Sequence, residues 1–255
     1  MAELTERAIR EALAAAGVPE APVRYDAVTD STNTTALELA RAGTPEWTLV
    51  AAGRQTAGRG RLGRTWVSPP GGALHVSVVL RPELPPDRAV LLTLLAGASM
   101  ARGCVAVGAQ DVMCKWPNDL VRGDEKVGGI LAEAAVAGGR IDHVVLGVGM
   151  NLGSPPPDVP GAGALSGVDP ADLLAAFLAE LSRGYQAGPE PWFGRRVLDD
   201  YRPVCASLGR RVRTTTTDGR VVEGTAVDLD EDGSLVVDTP DGRATVGFGE
   251  VEHLR

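Results

Sequence analysis

The chain has 255 residues, 44% of them hydrophobic, and a net charge of −8, which leaves room for one large domain plus a small one. No apolar run of membrane-spanning length is evident, and acids at Glu3, Glu6 and Glu11 exclude a secretory signal in Met1 to Gly17. Cys104, Cys114 and Cys205 form no C-x-x-C pair, and His75, His143 and His253 lack ligand-like spacing. A zinc site is therefore not expected, and the thiols read as buried groups in a reducing cytoplasm.

Leu4 to Ala16 has helical periodicity and is ended by Gly17 and Pro19. Too few residues precede Val23 for an added DNA-binding domain. Arg24 to Val28 reads as a short strand. Asp30-Ser31-Thr32-Asn33 then leads into a helical run, Thr34 to Arg41, stopped at Gly43. Helix capping explains one of these four polar residues but not the row. Thr48 to Ala52 reads as a buried strand that enters Arg54 to Trp66.

That stretch holds four arginines (Arg54, Arg59, Arg61, Arg64) and three glycines (Gly58, Gly60, Gly63) with no acid. A bare cationic loop in an acidic protein calls for an anion. Glycines allow close backbone approach, and arginine forks match carboxylate and phosphate oxygens. Gly58 to Gly63 also fits G-x-G-x-x-G. That fingerprint needs a helix starting at the glycines, and Val67-Ser68-Pro69-Pro70-Gly71-Gly72 forbids one.

Ala73 to Leu80 alternates as a strand, with His75 a tolerated strand residue rather than a catalyst. Pro86-Asp87 starts a helix through about Arg102, apolar nearly all round and so central. Val112 to Val121 is an apolar strand interrupted by Lys115-Trp116-Pro117-Asn118-Asp119, where Pro117 marks an edge or a break. Lys126 to Glu133 and Ile141 to Met150 follow after short turns, so the three strands form an antiparallel meander.

Beyond a Pro/Gly-rich loop, Asp169 caps a helix with Pro170 at its first position, running to about Tyr185. Trp192 to Tyr201 is a further helix. From Leu208, five short β-branched runs alternate with turn signals, as in a small SH3-like barrel. These are Arg211 to Thr216, Val221 to Leu229, Ser234 to Asp238, Arg243 to Phe248 and Val251 to Leu254. The boundary falls near Ser207, giving residues 1–207 and 208–255.

The polar clusters lie at strand ends or in loops beside them. They offer fixed cations, one carboxylate (Asp119), amides and hydroxyls, with no Ser/His/Asp set and no Walker A pattern. This suits a metal-assisted reaction between two anions, such as carboxylate attack on the α-phosphate of ATP. Two like charges about 4 Å apart repel by roughly 4 kcal/mol at an effective dielectric of 20. Each uncompensated pair would slow the reaction by about three decades.

Gln55 to Trp66, Lys115-Trp-Pro-Asn-Asp119, Lys126-Val-Gly-Gly-Ile-Leu131 and Gly147-Val-Gly-Met-Asn151 resemble, in order and spacing, the signature blocks of biotin–protein ligases. Ser31-Thr-Asn33 and the closing Gly249 to Arg255 fit as well. The resemblance covers roughly residues 23 to 255. It implies an α+β fold whose mixed, largely antiparallel sheet is packed with helices, a class II synthetase-like core, followed by the small barrel. It implies that biotin and ATP, with Mg²⁺, give biotinyl-AMP, and that the acyl group then passes to one lysine of a biotin carboxyl carrier domain of an acyl-CoA or pyruvate carboxylase.

It further implies a biotin site of Ser31, Thr32, Asn33, Gln55, Gly58, Arg59, Gly60, Arg61, Lys126, Gly128 and Gly129. Arg61, Arg64, Trp66, Lys115, Asn118, Lys126 and Asn151 would bind ATP. Lys126, Arg61 and Asp119 would be catalytic, and Asp119 would also serve Mg²⁺. Arg59, Gly60 and Arg61 would belong to a flexible loop that folds over biotin and the adenylate and shields the adenylate from water. A cytoplasmic monomer or weak homodimer, without repressor function, is expected.

Three rivals stand beside this reading. A lipoate- or octanoyl-transferring relative would share the core. A nucleic-acid module is disfavoured, because residues 206 to 255 hold six Arg against ten Asp and Glu. A catalytically dead biotin-binding protein would bind biotin without releasing pyrophosphate.

Overall fold

The β-branched and alternating runs of the first 151 residues pair into one seven-stranded sheet. Its strands are β1 (Val23–Thr29), β2 (Leu49–Gln55), β3 (Ala73–Leu80), β4 (Val112–Lys115), β5 (Asp119–Arg122), β6 (Glu125–Ala137) and β7 (Arg140–Asn151), in the order β1-β2-β3-β7-β6-β5-β4. The computed structural model describes residues 4–69, 71–186, 192–216, 219–247 and 249–254. Met1, Pro70, Phe248 and Arg255, which bound or interrupt segments read from the sequence, lie outside the described residues.

β1 and β2 are parallel, joined over one face by α2 (Thr32–Arg41); the other pairs are antiparallel. Alternation along β2 sorts its side chains. Val50 joins Ala36, Ala40, Val79 and Val145 under α2, while Leu49 and Ala51 enter the main core on the opposite face. That core is covered by α1 (Glu6–Ala15), α3 (Ala89–Ala106), α4 (Pro170–Tyr185) and α5 (Trp192–Tyr201). Asp169 Oδ1 caps α4 by accepting from Ala171 N at 2.8 Å.

Two expectations change. The segment Pro86–Ala106 is by length and composition apolar enough to cross a membrane, yet it is mostly buried as the central core helix. The run from Val112 to Val121 is two strands: a cis Trp116–Pro117 bond turns the chain between β4 and β5, and β4 takes the sheet edge. Pro117 has no N–H to give a ladder, so the meander has four strands rather than three.

The last five strands are β8 (Arg211–Thr216), β9 (Val221–Leu229), β10 (Leu235–Thr239), β11 (Gly242–Val246) and β12 (Gly249–His253). They make an antiparallel sheet in the order β11-β10-β9-β8-β12. Among the described residues its two end strands share no ladder, so the hydrogen bonding does not close a ring. This sheet is tied to the β4–β5 hairpin. Trp116 Nε1 donates to Gly233 O at 3.0 Å, Trp116 N donates to Ser207 Oγ at 3.1 Å, and Ala206 N donates to Cys114 O at 2.8 Å. All three cysteines are free and buried.

Candidate active site

The ends of β1, β2, β5 and β6 meet around a cavity of about 240 Å³. On one side stand Ser31, Thr32, Asn33 and Gln55, on the other Lys115, Asn118, Asp119 and Lys126. Arg59, Gly60, Arg61, Arg64 and Trp66 reach over from the Arg-Gly loop, and Gly129 forms part of the floor. Gly249, Glu250 and Val251 of β12 complete the wall.

Ser31 occupies the N-cap position of α2 but makes no side-chain cap bond, so capping does not explain it. The row behind it is a polar network. Gln55 Oε1 accepts from Thr32 N at 2.8 Å, and Ser77 Oγ lies 2.8 Å from Thr32 Oγ1 and 2.7 Å from Asn33 Oδ1. Asn33 Nδ2 donates to Glu133 Oε2 at 2.9 Å. Thr32, Asn33 and Ser77 are all buried, so these bonds are needed to offset lost hydration.

The loop is a small hairpin held by Trp66 N to Gly58 O and Gly60 N to Arg64 O, at 2.8 and 2.7 Å. Leu62 and Gly63 both take left-handed backbone at its tip, with φ of 55° and 74°. The cations differ in their partners. Arg59 forks onto Glu133, Arg64 pairs with Glu250, and Lys126 Nζ donates to Asp119 Oδ1 at 2.5 Å. Arg61 has no ion pair among the described residues; its Nη1 donates to Asn118 Oδ1 at 2.9 Å. Burial lowers its pKa, with Asp119 and Glu250 opposing, and a guanidinium stays charged regardless.

Two glycines make space for this geometry. A Cβ on Gly147 would stand 1.9 Å from Asn33 Oδ1, and one on Gly149 would stand 2.7 Å from Trp66 Cε2. Both lie on the same face of β7, two residues apart, so the strand is bare where Asn33 and Trp66 pack. The Trp66 indole nitrogen is buried with no hydrogen-bond partner among the described residues.

Residues 25–151 match the Biotin/lipoate A/B protein ligase family, and residues 207–254 match the Biotin protein ligase C terminal domain. A biotin--[acetyl-CoA-carboxylase] ligase from Mycobacterium tuberculosis is 34% identical, over 99% of this chain and 96% of its own. The chain belongs to the biotin protein ligase family. A bifunctional ligase/repressor BirA from Bacillus subtilis is 32% identical, over 89% of this chain and 73% of its own length. The Aquifex aeolicus biotin protein ligase in complex with biotin and ATP superposes with a TM-score of 0.75 at 25% identity, covering 92% of this chain and 99% of that one.

In this biotin protein ligase, an enzyme that forms amide bonds, three residues singled out from the sequence do not line the cavity. Gly58 backs onto Trp66, and Gly128 onto Met150. Asn151 is buried, with Nδ2 donating to Gly163 O at 3.0 Å, so it ties β7 to the following loop. Sequence reasoning did not single out Ser77 or Glu133, and it quoted Gly147, Gly149 and Glu250 within signature blocks without naming them as site residues. The Gly-x-Gly spacing in β7 is a readable sign of close approach on one face. Glu133 and Glu250 carry no such sign, since each meets its arginine only through tertiary structure.

Proposed function

We propose that this ligase activates biotin with ATP as biotinyl-AMP, releasing pyrophosphate, and then transfers the biotinyl group to a lysine of a biotin carboxyl carrier domain. The supporting observation is a single cavity with two kinds of lining. Neutral donors and acceptors (Ser31, Thr32, Asn33, Gln55) suit an uncharged ureido ring, and cations with one carboxylate suit phosphates. That the Aquifex aeolicus relative was solved in complex with biotin and ATP supports the choice of these two ligands.

In this reading Arg61 and Lys126 neutralise the approach of the biotin carboxylate to the α-phosphate, where unscreened repulsion would be largest. Trp66 packs beside the bound nucleotide, and Arg64 and Lys115 meet its outer phosphates. The hairpin loop excludes water from the acyl adenylate until a lysine amine enters. That amine attacks the acyl carbonyl carbon, an N–C bond forms, the C–O bond to AMP breaks, and the amine loses a proton.

Mg²⁺ fits the donor set. Asp119 is a cavity carboxylate, and such ions are held by one or two carboxylates together with substrate phosphates rather than by a protein cage. When bound, the ion adds positive charge at the phosphates.

We place residues 1–207 as the catalytic unit and 208–255 as the smaller one. The three buried free thiols suit a reducing cytoplasm. DNA binding forms no part of the proposal, because residues 206 to 255 hold six Arg against ten Asp and Glu and give that module no basic footprint.

ATP–pyrophosphate exchange with biotin or lipoate tests the reading. Exchange driven by biotin is expected. Exchange driven by lipoate alone would move the substrate within the family, and exchange with neither, in folded protein, would remove adenylation.

A further inference from the structure

Ser77 of β3 is 0% exposed and stands behind the cavity wall, yet two wall residues turn polar atoms toward it. Its Oγ lies 2.7 Å from Asn33 Oδ1 and 2.8 Å from Thr32 Oγ1. In the sheet Ser77 is the register partner of Gly147, and the Asn33 amide enters the room that a side chain on Gly147 would fill.

One hydroxyl carries one proton, so Ser77 cannot donate to both neighbours. Asn33 Nδ2 donates to Leu131 O at 3.2 Å and to Glu133 Oε2 at 2.9 Å. Both amide protons are thereby spent on acceptors, and the end that faces Ser77 is the amide oxygen, which only accepts. The Ser77 proton goes to Asn33, and Ser77 turns a lone pair toward Thr32. Gln55 Oε1, 3.2 Å from Thr32 Oγ1, is an acceptor as well and already takes the Thr32 N–H. Both neighbours of the Thr32 hydroxyl thus lack a proton to give. The Thr32 proton stays with one of them, and a lone pair of Thr32 Oγ1 is what faces the cavity.

We infer that Ser77 is a specificity-determining positioning residue: acting through Thr32, it makes that hydroxyl an obligate acceptor, so the pocket selects a ring that offers an N–H there. The ureido ring of biotin offers N–H groups, and the dithiolane ring of lipoate offers none. A ligand atom with only lone pairs at this position meets Thr32 lone pair to lone pair, and a buried polar atom left unpaired is costly. A site built to take a substrate N–H rejects analogues that lack it far more strongly than an apolar pocket rejects a small change of shape.

The assignment rests on the biotin reading of the cavity. The probes are biotin, lipoate and the two cyclic carbamate analogues of biotin, each with one ring N–H replaced by oxygen. Dissociation constants are measured by titration calorimetry on the full chain. In the wild type, the carbamate whose oxygen falls at Thr32 should bind about thirty-fold more weakly than biotin. Ser77→Ala leaves the Thr32 proton only the longer contact to Gln55, so the hydroxyl can turn and donate to that oxygen. The penalty should then shrink to about five-fold or less. KM for ATP in pyrophosphate exchange should stay within about two-fold of wild type. A purely structural loss would weaken biotin and both carbamates alike and leave their ratio in place.

An unmoved ratio in folded Ser77→Ala overturns the inference, as does a wild type that binds both carbamates as tightly as biotin. Should the alanine variant fail to fold, Ser77→Cys carries the same test, because a thiol is a weak donor and acceptor of similar shape. Its ratio should fall below that of the wild type, and an unmoved ratio again overturns the inference. Lipoate bound in place of biotin by the wild type would overturn the substrate reading and the inference with it. Biotin bound with an unmoved ratio overturns the inference alone.

Discussion

Lys126 Nζ and Asp119 Oδ1 are 2.5 Å apart, bridging adjacent strands β5 and β6 at the cavity floor. The contact fixes a cation where an α-phosphate is proposed to react and leaves the rest of the Asp119 carboxylate available. Lys126→Met should therefore do two things: remove that cation and leave Asp119 an uncompensated acid facing phosphates. We expect biotin-dependent pyrophosphate exchange to fall by about two to three decades. A rate within a few-fold of wild type would exclude Lys126 from the adenylation step.

Arg61 is set apart from Arg59 and Arg64 by having an amide, Asn118, rather than a carboxylate as its partner. It is thus ready to bind an anion without first breaking an ion pair. Arg61→Ala should release the acyl adenylate into solution faster, by about ten-fold or more, as a lost charged hydrogen bond requires. Arg61→Lys should not restore retention, because a point charge lacks the planar fork. The check is the appearance of free biotinyl-AMP after a single turnover without carrier domain.

Gly147 faces Asn33 and Gly149 faces Trp66, which the proposed function assigns to biotin and ATP respectively. Gly147→Ala drives a methyl group into Asn33 Oδ1 and should weaken biotin binding. Gly149→Ala drives one into the Trp66 ring and should weaken ATP binding more. Each should cost about ten-fold or more in the affinity named, since overpacking strains a close contact by about 1–3 kcal/mol. Titrating each ligand against each variant tests the division; equal losses of both ligands in both variants would refute it.

Trp116 is 1% exposed, and its indole donates to Gly233 O. Trp116→Phe keeps most of the packing but leaves that carbonyl unpaired and a small void. A loss of about 2–4 kcal/mol in denaturant-unfolding stability is expected. A change under about 0.5 kcal/mol would mean that the junction is held by other contacts.

His75 is 2% exposed, and burial lowers its pKa from 6.5 to about 4, against a weaker opposing bond from Ala52. The unfolded chain therefore binds a proton between pH 6.5 and 4 that the folded chain resists. Stability should be unaffected by this group above pH 6.5 and fall as the pH drops toward 4, by up to about 3 kcal/mol. Between pH 6.5 and 4 the wild type should lose more melting temperature than His75→Gln, so the difference between the two should change with pH. Parallel curves would show that His75 does not contribute.

Much of this architecture was open to reading because local chemistry agreed with tertiary need. Asp169-Pro170 opens α4 where capping and a fixed φ favour a helix, and α5 runs from Trp192 to Tyr201 as its pattern suggests. The Arg-Gly loop drew notice because its composition has no cheap structural reason. The start of α2 at Thr32 rather than Thr34 was harder to see: Ser31, Thr32 and Asn33 look like a loop, but Ser31 is the N-cap, Thr32 and Asn33 open the helix, and all three line the cavity. The split of Val112 to Val121 into two strands followed from Pro117, although the pattern alone read as one. Glu133 and Glu250 could not be found this way, because nothing in a strand sequence says which arginine of a distant hairpin will lie above it.

Trp116 is bonded to residues 91 and 117 positions away, Ser207 and Gly233. The hairpin that carries Lys115, Asn118 and Asp119 therefore takes its footing from strands made last in the chain. A chimera that replaced everything beyond Ser207 with the matching piece of a relative would inherit the new sheet but not a fitted socket for this indole. A shift of the chain at Ser207 or Gly233 would therefore be passed through the indole to the cavity wall, although neither residue lines it.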